Sequence, residues 1–337
     1  MKRLGLGFIV FLALLASLQQ NAHAQTLRER LQQRATKTES SNNKPIIAPG
    51  DYRFSIQSGG RERHYLVHVP RSYDAAHPAP LLMALHGGGG NMDFQADDSH
   101  YGLITASEKH GFIAVFPNGV GFMGDKLATW NAGNCCGKAR DENVGDVDFL
   151  RAVVAEVEGK LAIDKARVYA TGMSNGGMMA QRLGCEAADM FAAIAPVAGS
   201  DNTSECKPAR PIAVIEFHAL DDDHVLFKGG AGEKAFPNRK QVTDFTPVPE
   251  TISRWTRRNQ CSSAAAKTVL EVPGAHCEVH EDCKGGASVQ LCTTDTGGHS
   301  WPGAGTVRAG KAAASQAISA NELMWDFFSR HPAPTPQ

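Results

Sequence analysis

Four short segments carry residues whose types and spacing could perform acyl transfer. Gly172-Met173-Ser174-Asn175-Gly176 sets a serine between two glycines. A hydroxyl is a weak nucleophile until a base takes its proton, so this serine needs an imidazole and an orienting acid elsewhere. Gly297-Gly298-His299-Ser300-Trp301-Pro302-Gly303 offers the imidazole on a Gly-rich loop. Phe217-His218-Ala219-Leu220-Asp221-Asp222-Asp223-His224 offers three adjacent carboxylates, and chemistry alone does not choose among them. His86-Gly87-Gly88-Gly89-Gly90-Asn91 offers side-chain-free backbone whose N–H groups could receive an oxyanion. The expected donors are the N–H of Asn175, directly after the serine, and that of Gly88.

Each segment also has a duller reading. The serine could be a plain helix cap, and the glycine run a flexible turn or a phosphate loop. No Lys-Ser or Lys-Thr follows the glycines, which argues against a phosphate loop. The three aspartates lack the regular ligand spacing of a calcium loop.

The elements that must hold these segments are legible as short apolar runs. Pro80–Leu85, Ile113–Phe116, Arg167–Thr171, Phe191–Val197 and Pro211–Phe217 predict buried parallel strands, and Ser288–Thr294 a last one. Helical spacing recurs between them, at Phe149, Leu150, Val153, Val154 and Val157, and again around Ile252 and Trp255. Ser174 stands between a strand and the helical stretch Gly177–Leu183, the strand–turn–helix context of a nucleophile elbow. A hairpin, Tyr52–Ile56 with Arg63–Val69, opens the domain, and a helix over Ala320–Phe328 closes it. Ser319 and Glu322 read as a capping box for that helix. The chain order Ser, Asp, His is that of an α/β-hydrolase. The expected fold class is therefore α/β: a mostly parallel central sheet flanked by helices, in a single domain over residues 51–331.

Composition narrows the setting. The chain has 337 residues, a formal net charge of −1, 42% hydrophobic and 20% charged residues. That balance suits one large globular domain and predicts neither a nucleic-acid partner nor electrostatic membrane adsorption. Lys2 and Arg3 precede the apolar run Leu4–Leu18, and Ala22-His23-Ala24 follows it, so residues 1–24 read as a cleavable signal peptide. Export implies a secreted or periplasmic location, with no membrane partner after cleavage. Residues 25–50 read as a flexible leader and 332–337 as a frayed tail. All eight cysteines lie beyond the signal, and an even number in an exported chain predicts disulfides. His276, Cys277, His280 and Cys283 cluster as metal ligands might, but the chain has no CxxC pair and oxidation would consume the thiols. No metal or organic cofactor is expected. Nothing in the sequence specifies an oligomeric state.

Taken together, His-Gly-Gly-Gly-Gly-Asn, Trp130-Asn131-Ala132-Gly133, Gly-Met-Ser-Asn-Gly-Gly-Met-Met, Phe191–Gly199 and Gly-Gly-His-Ser-Trp-Pro-Gly resemble the polyhydroxybutyrate-depolymerase family of esterases. These are α/β-hydrolases related to feruloyl and acetylxylan esterases, and the resemblance covers roughly residues 50–330. It implies serine ester hydrolysis with Ser174 as nucleophile, His299 as base and Asp222 as acid. The acid follows from aligning His218 with the histidine of the family's usual His-Gly-Thr-Ala-Asp. Ala219 and Leu220 depart from that pattern, which keeps Asp221 and Asp223 as fallbacks. The resemblance also implies a Cys261–Cys283 disulfide and, more loosely, a bond from Cys135 or Cys136 to Cys185 or Cys206. Trp130 and Trp301 are candidate walls of the substrate pocket. The expected partner is an ester: short polyhydroxyalkanoate-type oligoesters or small esters, alternatively feruloyl or acetyl esters of plant cell walls. A chain ending just past its last helix, with no binding module, favours such soluble substrates over solid polyester, and no separate lid segment suggests a lipase. A non-catalytic exported binding protein on a hydrolase scaffold is the reading from another class, which an intact Ser, Asp and His disfavour.

Overall fold

The computed structural model describes residues 45–122, 126–233, 235, 244–305 and 313–334. Residues 1–24, read from the sequence as a signal peptide, and most of the 25–50 segment read as a leader lie outside them. Ile46 packs against the core, and the first strand starts at Gly50.

β1 (Gly50–Ser58) and β2 (Arg61–Val69) form the expected hairpin. Gly59 and Gly60 both have positive φ, which lets a two-residue turn follow the twist of the strands. β2 then pairs antiparallel with β4 (Ile113–Pro117). From there β3 (Ala79–Leu85), β5 (Ile163–Met173), β6 (Ala193–Val197), β7 (Ala213–Ala219) and β10 (Val289–Thr294) continue as a parallel block. β9 (Ala275–His280) and β8 (Lys267–Val272) extend it antiparallel, for an order β1-β2-β4-β3-β5-β6-β7-β10-β9-β8. The helices are α1 (Met92–Ala96), α2 (Asp98–Tyr101), α3 (Leu103–His110), α4 (Gly137–Asp141), α5 (Asp146–Glu158), α6 (Asn175–Glu186), α7 (Val248–Arg258) and α8 (Ala320–Ser329).

Every residue of β3, β4, β6 and β7 is buried, as strands covered on both faces must be. The period-2 alternation of β3 divides the core. Leu81, Met83 and Leu85 join the cluster built with Phe149 and Val153 of α5, Met179 and Leu183 of α6 and Trp255 of α7. Leu82 and Ala84 join the opposite cluster, with Leu103 of α3 and Met324, Phe327 and Phe328 of α8. This is the expected α/β-hydrolase arrangement.

Several details differ from the sequence reading. β8 and β9 were not expected, because β8 is an exposed edge strand with charged residues and β9 carries two histidines and a cysteine. Cys277 and Cys292 face one another across β9 and β10 and are disulfide-bonded, whereas Cys261 pairs with Cys283 as the resemblance implied. The looser disulfide expectation fails: Cys185 pairs with Cys206, and Cys135 with Cys136. Cys135 Sγ lies by Asn175 at the start of α6. Cys185 stands ten residues further along that helix, about 15 Å away at 1.5 Å per residue. At α8, Ser319 caps the helix by accepting from the Glu322 N–H, but the Glu322 carboxylate is drawn to Lys109 at 2.8 Å. The start of the tail is not frayed: Ala333 N–H donates to Ala166 O at 2.7 Å and its side chain packs on the core.

Candidate active site

Ser174 occupies the single residue between β5 and α6, with φ 56° and ψ −120°. An L-residue adopts that backbone only when its surroundings impose it. Here Ser174 N–H donates to Val197 O on the neighbouring strand, and Met178 N–H donates to Ser174 O, both at 2.8 Å. The turn also requires the flanking glycines. A Cβ on Gly172 would lie 2.5 Å from the Gly176 carbonyl carbon and 2.8 Å from Leu85 O. One on Gly176 would press into the carbonyl oxygens of Leu85 and His86.

The glycine run lies against this turn. The ideal Cβ position of Gly88 is 3.6 Å from Asn175 Cβ. Gly89 N–H is engaged by Ala128 O and Gly90 N–H by Gly87 O. Gly88 N–H makes no hydrogen bond to any described residue, so it can serve a ligand. His86 shapes the run from below. Its ring is buried, with Nδ1–H donating to Gly87 O at 2.8 Å and Nε2 accepting from Gly119 N–H at 2.9 Å. Burial pushes this imidazole down to about 4, against the pull of its Gly87 bond, so it stays neutral. The Asn175 side chain clamps the adjoining segment, accepting from Trp130 N–H at 2.7 Å and donating to Trp130 O at 3.1 Å.

His299 and Asp222 meet at 2.8 Å, Nδ1 to Oδ2. The other oxygen of Asp222 accepts from His224 N–H and Val225 N–H, at 2.8 and 2.9 Å. Burial opposes a charge on Asp222, but His299, His218 and these hydrogen bonds outweigh it and hold the carboxyl below its ordinary range. The departure at Ala219 and Leu220 leaves the turn intact, since Leu220 N–H pairs with Thr294 O and its side chain points to solvent. Asp221 and Asp223 are not idle. Asp221 Oδ1 accepts from Gly298 N–H at 2.8 Å, and Asp223 bonds the His224 ring at 2.6 Å. That ring stacks on His299, with centroids 4.6 Å apart and planes 15° from parallel.

Ser174, Asn175, Gly88, His224 and His299 all line one cavity of about 510 Å³. Five aromatic side chains, Phe94, Tyr101, Phe122, Phe245 and Trp301, stand among its walls, beside aliphatic residues such as Leu127, Met178 and Val225. Trp301 donates its indole N–H to Asn321 Oδ1 at 3.0 Å and packs on Tyr101. Trp130 is not a wall. It is fully buried, and its indole N–H is drawn behind the glycine run to His86 O at 2.9 Å.

A family model described as "Putative esterase" matches residues 56–280. The chain belongs to this esterase family. The esterase is 33% identical over 242 residues to feruloyl esterase B of Piromyces equi, a match covering 70% of this chain and 42% of that protein. The chain thus spans less than half of that relative. It is 32% identical over 279 residues to a protein of Nocardia uniformis subsp. tsuyamanensis described as "Putative esterase NocK", covering 77% of this chain and 76% of that one. The solved acetyl xylan esterase from Aspergillus awamori superposes with a TM-score of 0.57 at 15% identity, over 82% of this chain and 99% of that one. At that identity the likeness is one of fold.

Asp222, His224 and His299 of the esterase also bring one potential metal-ligand atom each within 4.8 Å of the others. Their geometry suits hydrogen bonding better. Asp222 Oδ2 and His299 Nδ1 are engaged with each other, and two nearly parallel rings cannot aim in-plane lone pairs at one ion. His224 was missed in the sequence although it adjoins the three aspartates. The aromatic walls other than Trp301 were missed because Phe94 and Tyr101 on the short helices α1 and α2 meet Phe122 and Phe245 on two separate loops only in the folded chain.

Proposed function

We propose that the esterase is an exported serine hydrolase of aromatic or carbohydrate-linked esters, with Ser174, His299 and Asp222 as its triad. The observation that carries this reading is the 2.8 Å Asp222–His299 pair opening on the cavity that also receives Ser174 from its strained turn. His299 Nε2 takes the Ser174 proton as Oγ bonds to the ester carbonyl carbon. Asp222 stabilises the imidazolium. Gly88 and Asn175 N–H groups hold the oxyanion. The carbonyl re-forms, the C–O bond to the alcohol breaks, and the alcohol leaves with the His299 proton. Water then attacks the acyl-enzyme by the same route, releasing acid and free Ser174.

The aromatic lining and the relatives named feruloyl esterase support a planar aromatic acyl group. The shared motifs and the apolar cavity also support short hydroxyalkanoate oligoesters as a second reading. Four disulfides agree with the export signal read at residues 1–24. Among the described residues, no helix is long and apolar enough to cross a membrane. The test is a panel of methyl ferulate, acetylated xylan and hydroxybutyrate trimer, run on mature enzyme and Ser174→Ala. Methyl ferulate should give the highest kcat/KM, and Ser174→Ala should lose at least about 10⁴-fold on every substrate. A folded Ser174→Ala enzyme with most of its activity would refute the nucleophile; preference for the trimer would refute the aromatic reading.

A further inference from the structure

Behind Asp222 lies a second carboxylate–imidazole pair that the hydrolytic mechanism does not use. Glu216 and His218 alternate along β7, so both side chains leave the same face of the sheet. Both are buried to within 1% of completely. His218 Nδ1 faces Glu216 Oε1 at 3.4 Å, and neither atom has another hydrogen-bond partner among the described residues. His218 Nε2 donates to Val225 O at 2.8 Å and lies 3.5 Å from Asp222 Oδ2, the oxygen that holds His299. Glu216 Oε2 accepts from Gln181 on α6, the helix that follows Ser174, and Gln181 accepts from the Trp255 indole at 2.5 Å.

We propose that Glu216 and His218 position Asp222, with His218 as the residue that sets the turn from Asp222 to Val225. The reasoning is geometric. Val225 is gripped at both ends: its N–H by Asp222 Oδ1, its C=O by His218 Nε2. His218 therefore fixes the residue that fixes the acid, and its ring edge limits where Asp222 Oδ2 can go. Glu216 orients His218 as Asp222 orients His299. Mere packing would not call for these groups. Two ionisable side chains in a strand interior are unfavourable unless paired, and aliphatic residues would fill the space at lower cost. The pair also joins the acid turn to the nucleophile helix through Gln181. Both catalytic elements are thus referenced to one buried network.

The proposal rests on Asp222 being the acid, so Asp222→Asn is run beside the other variants. His218→Leu should lower kcat by about 10- to 100-fold, as loss of an orienting partner does elsewhere, with KM within about twofold. His218→Gln, whose amide can still donate to Val225 O, should recover most of that loss. A folded His218→Leu enzyme with wild-type kcat would overturn the proposal. So would His218→Gln doing no better than His218→Leu, which would mark a purely structural role. If His218→Leu does not fold, Glu216→Met decides. It keeps the length of the side chain but leaves Nδ1 without a partner and removes the Gln181 contact; a lower kcat at constant KM supports positioning, and a wild-type kcat overturns it. Wild-type activity in Asp222→Asn would instead show that the acid assignment has failed.

Discussion

Asp221 Oδ1 accepts a hydrogen bond from the backbone N–H of Gly298, 2.8 Å away, so the neighbour of the proposed acid holds the loop of the proposed base. Asp222 meets the His299 ring itself. The two carboxylates therefore act on the same loop through different atoms, and substitutions should separate them. Asp222→Asn should cut kcat by up to about 10⁴-fold, because an amide no longer fixes the imidazole tautomer or stabilises its cation. Asp221→Asn keeps an acceptor oxygen and should stay within a few-fold of wild type. Asp221→Ala loses it and should fall further, by about tenfold, near the worth of one hydrogen bond. Steady-state kinetics on the three variants check this. A crippled Asp221→Asn beside an active Asp222→Asn would move the acid by one place.

His86 should make stability depend on pH. Its folded value is held near 4 by burial, below the ordinary 6.5 of the unfolded chain. Protons therefore bind the unfolded state more tightly. The associated stability is complete above about pH 6.5 and is lost as pH falls towards 4, by about 3 kcal/mol. The structural cause is plain, since a protonated ring would turn Nε2 from acceptor to donor against the Gly119 N–H. Urea unfolding of wild type and His86→Asn from pH 7 to 4 measures it. The stability difference between the two should shrink by about that amount, and a constant difference would contradict the assignment.

The two tryptophans should behave differently. Trp130→Phe removes the indole donor to His86 O and should lower stability by about 1 kcal/mol, with KM unchanged because the ring does not reach the cavity. Trp301→Phe alters a cavity wall and the Asn321 contact, and should raise KM for aryl esters about fivefold, equivalent to about 1 kcal/mol of binding. Parallel melting curves and KM values distinguish them. An effect of Trp130→Phe confined to KM would return it to the pocket wall.

How much of this was legible in the sequence depends on whether the signal was local. The strand–turn–helix around Ser174 was readable because Gly172 and Gly176 answer to contacts within the turn and its neighbouring strand. The parallel strands were readable because full burial leaves an uninterrupted apolar run. β8 and β9 were not, since one is an exposed edge and the other mixes histidines with buried residues. Trp130 could not be placed, because whether an indole faces a cavity or a backbone carbonyl depends on loops that meet only in three dimensions. The roles of Asp221 and Asp223 were hidden likewise. Identical residues in a row carry no record of which partner each will find.

The disulfides offer a last prediction. Cys261 lies three residues past the end of α7 and Cys283 three past the end of β9, so their bond ties the segment leaving a helix to the connection entering β10. The same corner is held by Asn259, whose backbone O accepts from Lys284 N–H and whose side chain bonds both N–H and C=O of Ile212. Opening a link between residues 22 apart should cost about 3 kcal/mol, mainly by freeing the unfolded chain. Cys261→Ala/Cys283→Ala should therefore melt roughly 5–10 °C lower. Activity at 25 °C should persist. β10 keeps its register through six residue pairs with β7 and through Cys277–Cys292, so the His299 loop stays in place. Thermal melts with kcat measured in the same samples decide between the two effects. Lost activity at an unchanged melting temperature would mean that this bond orders the base loop rather than stabilising the fold.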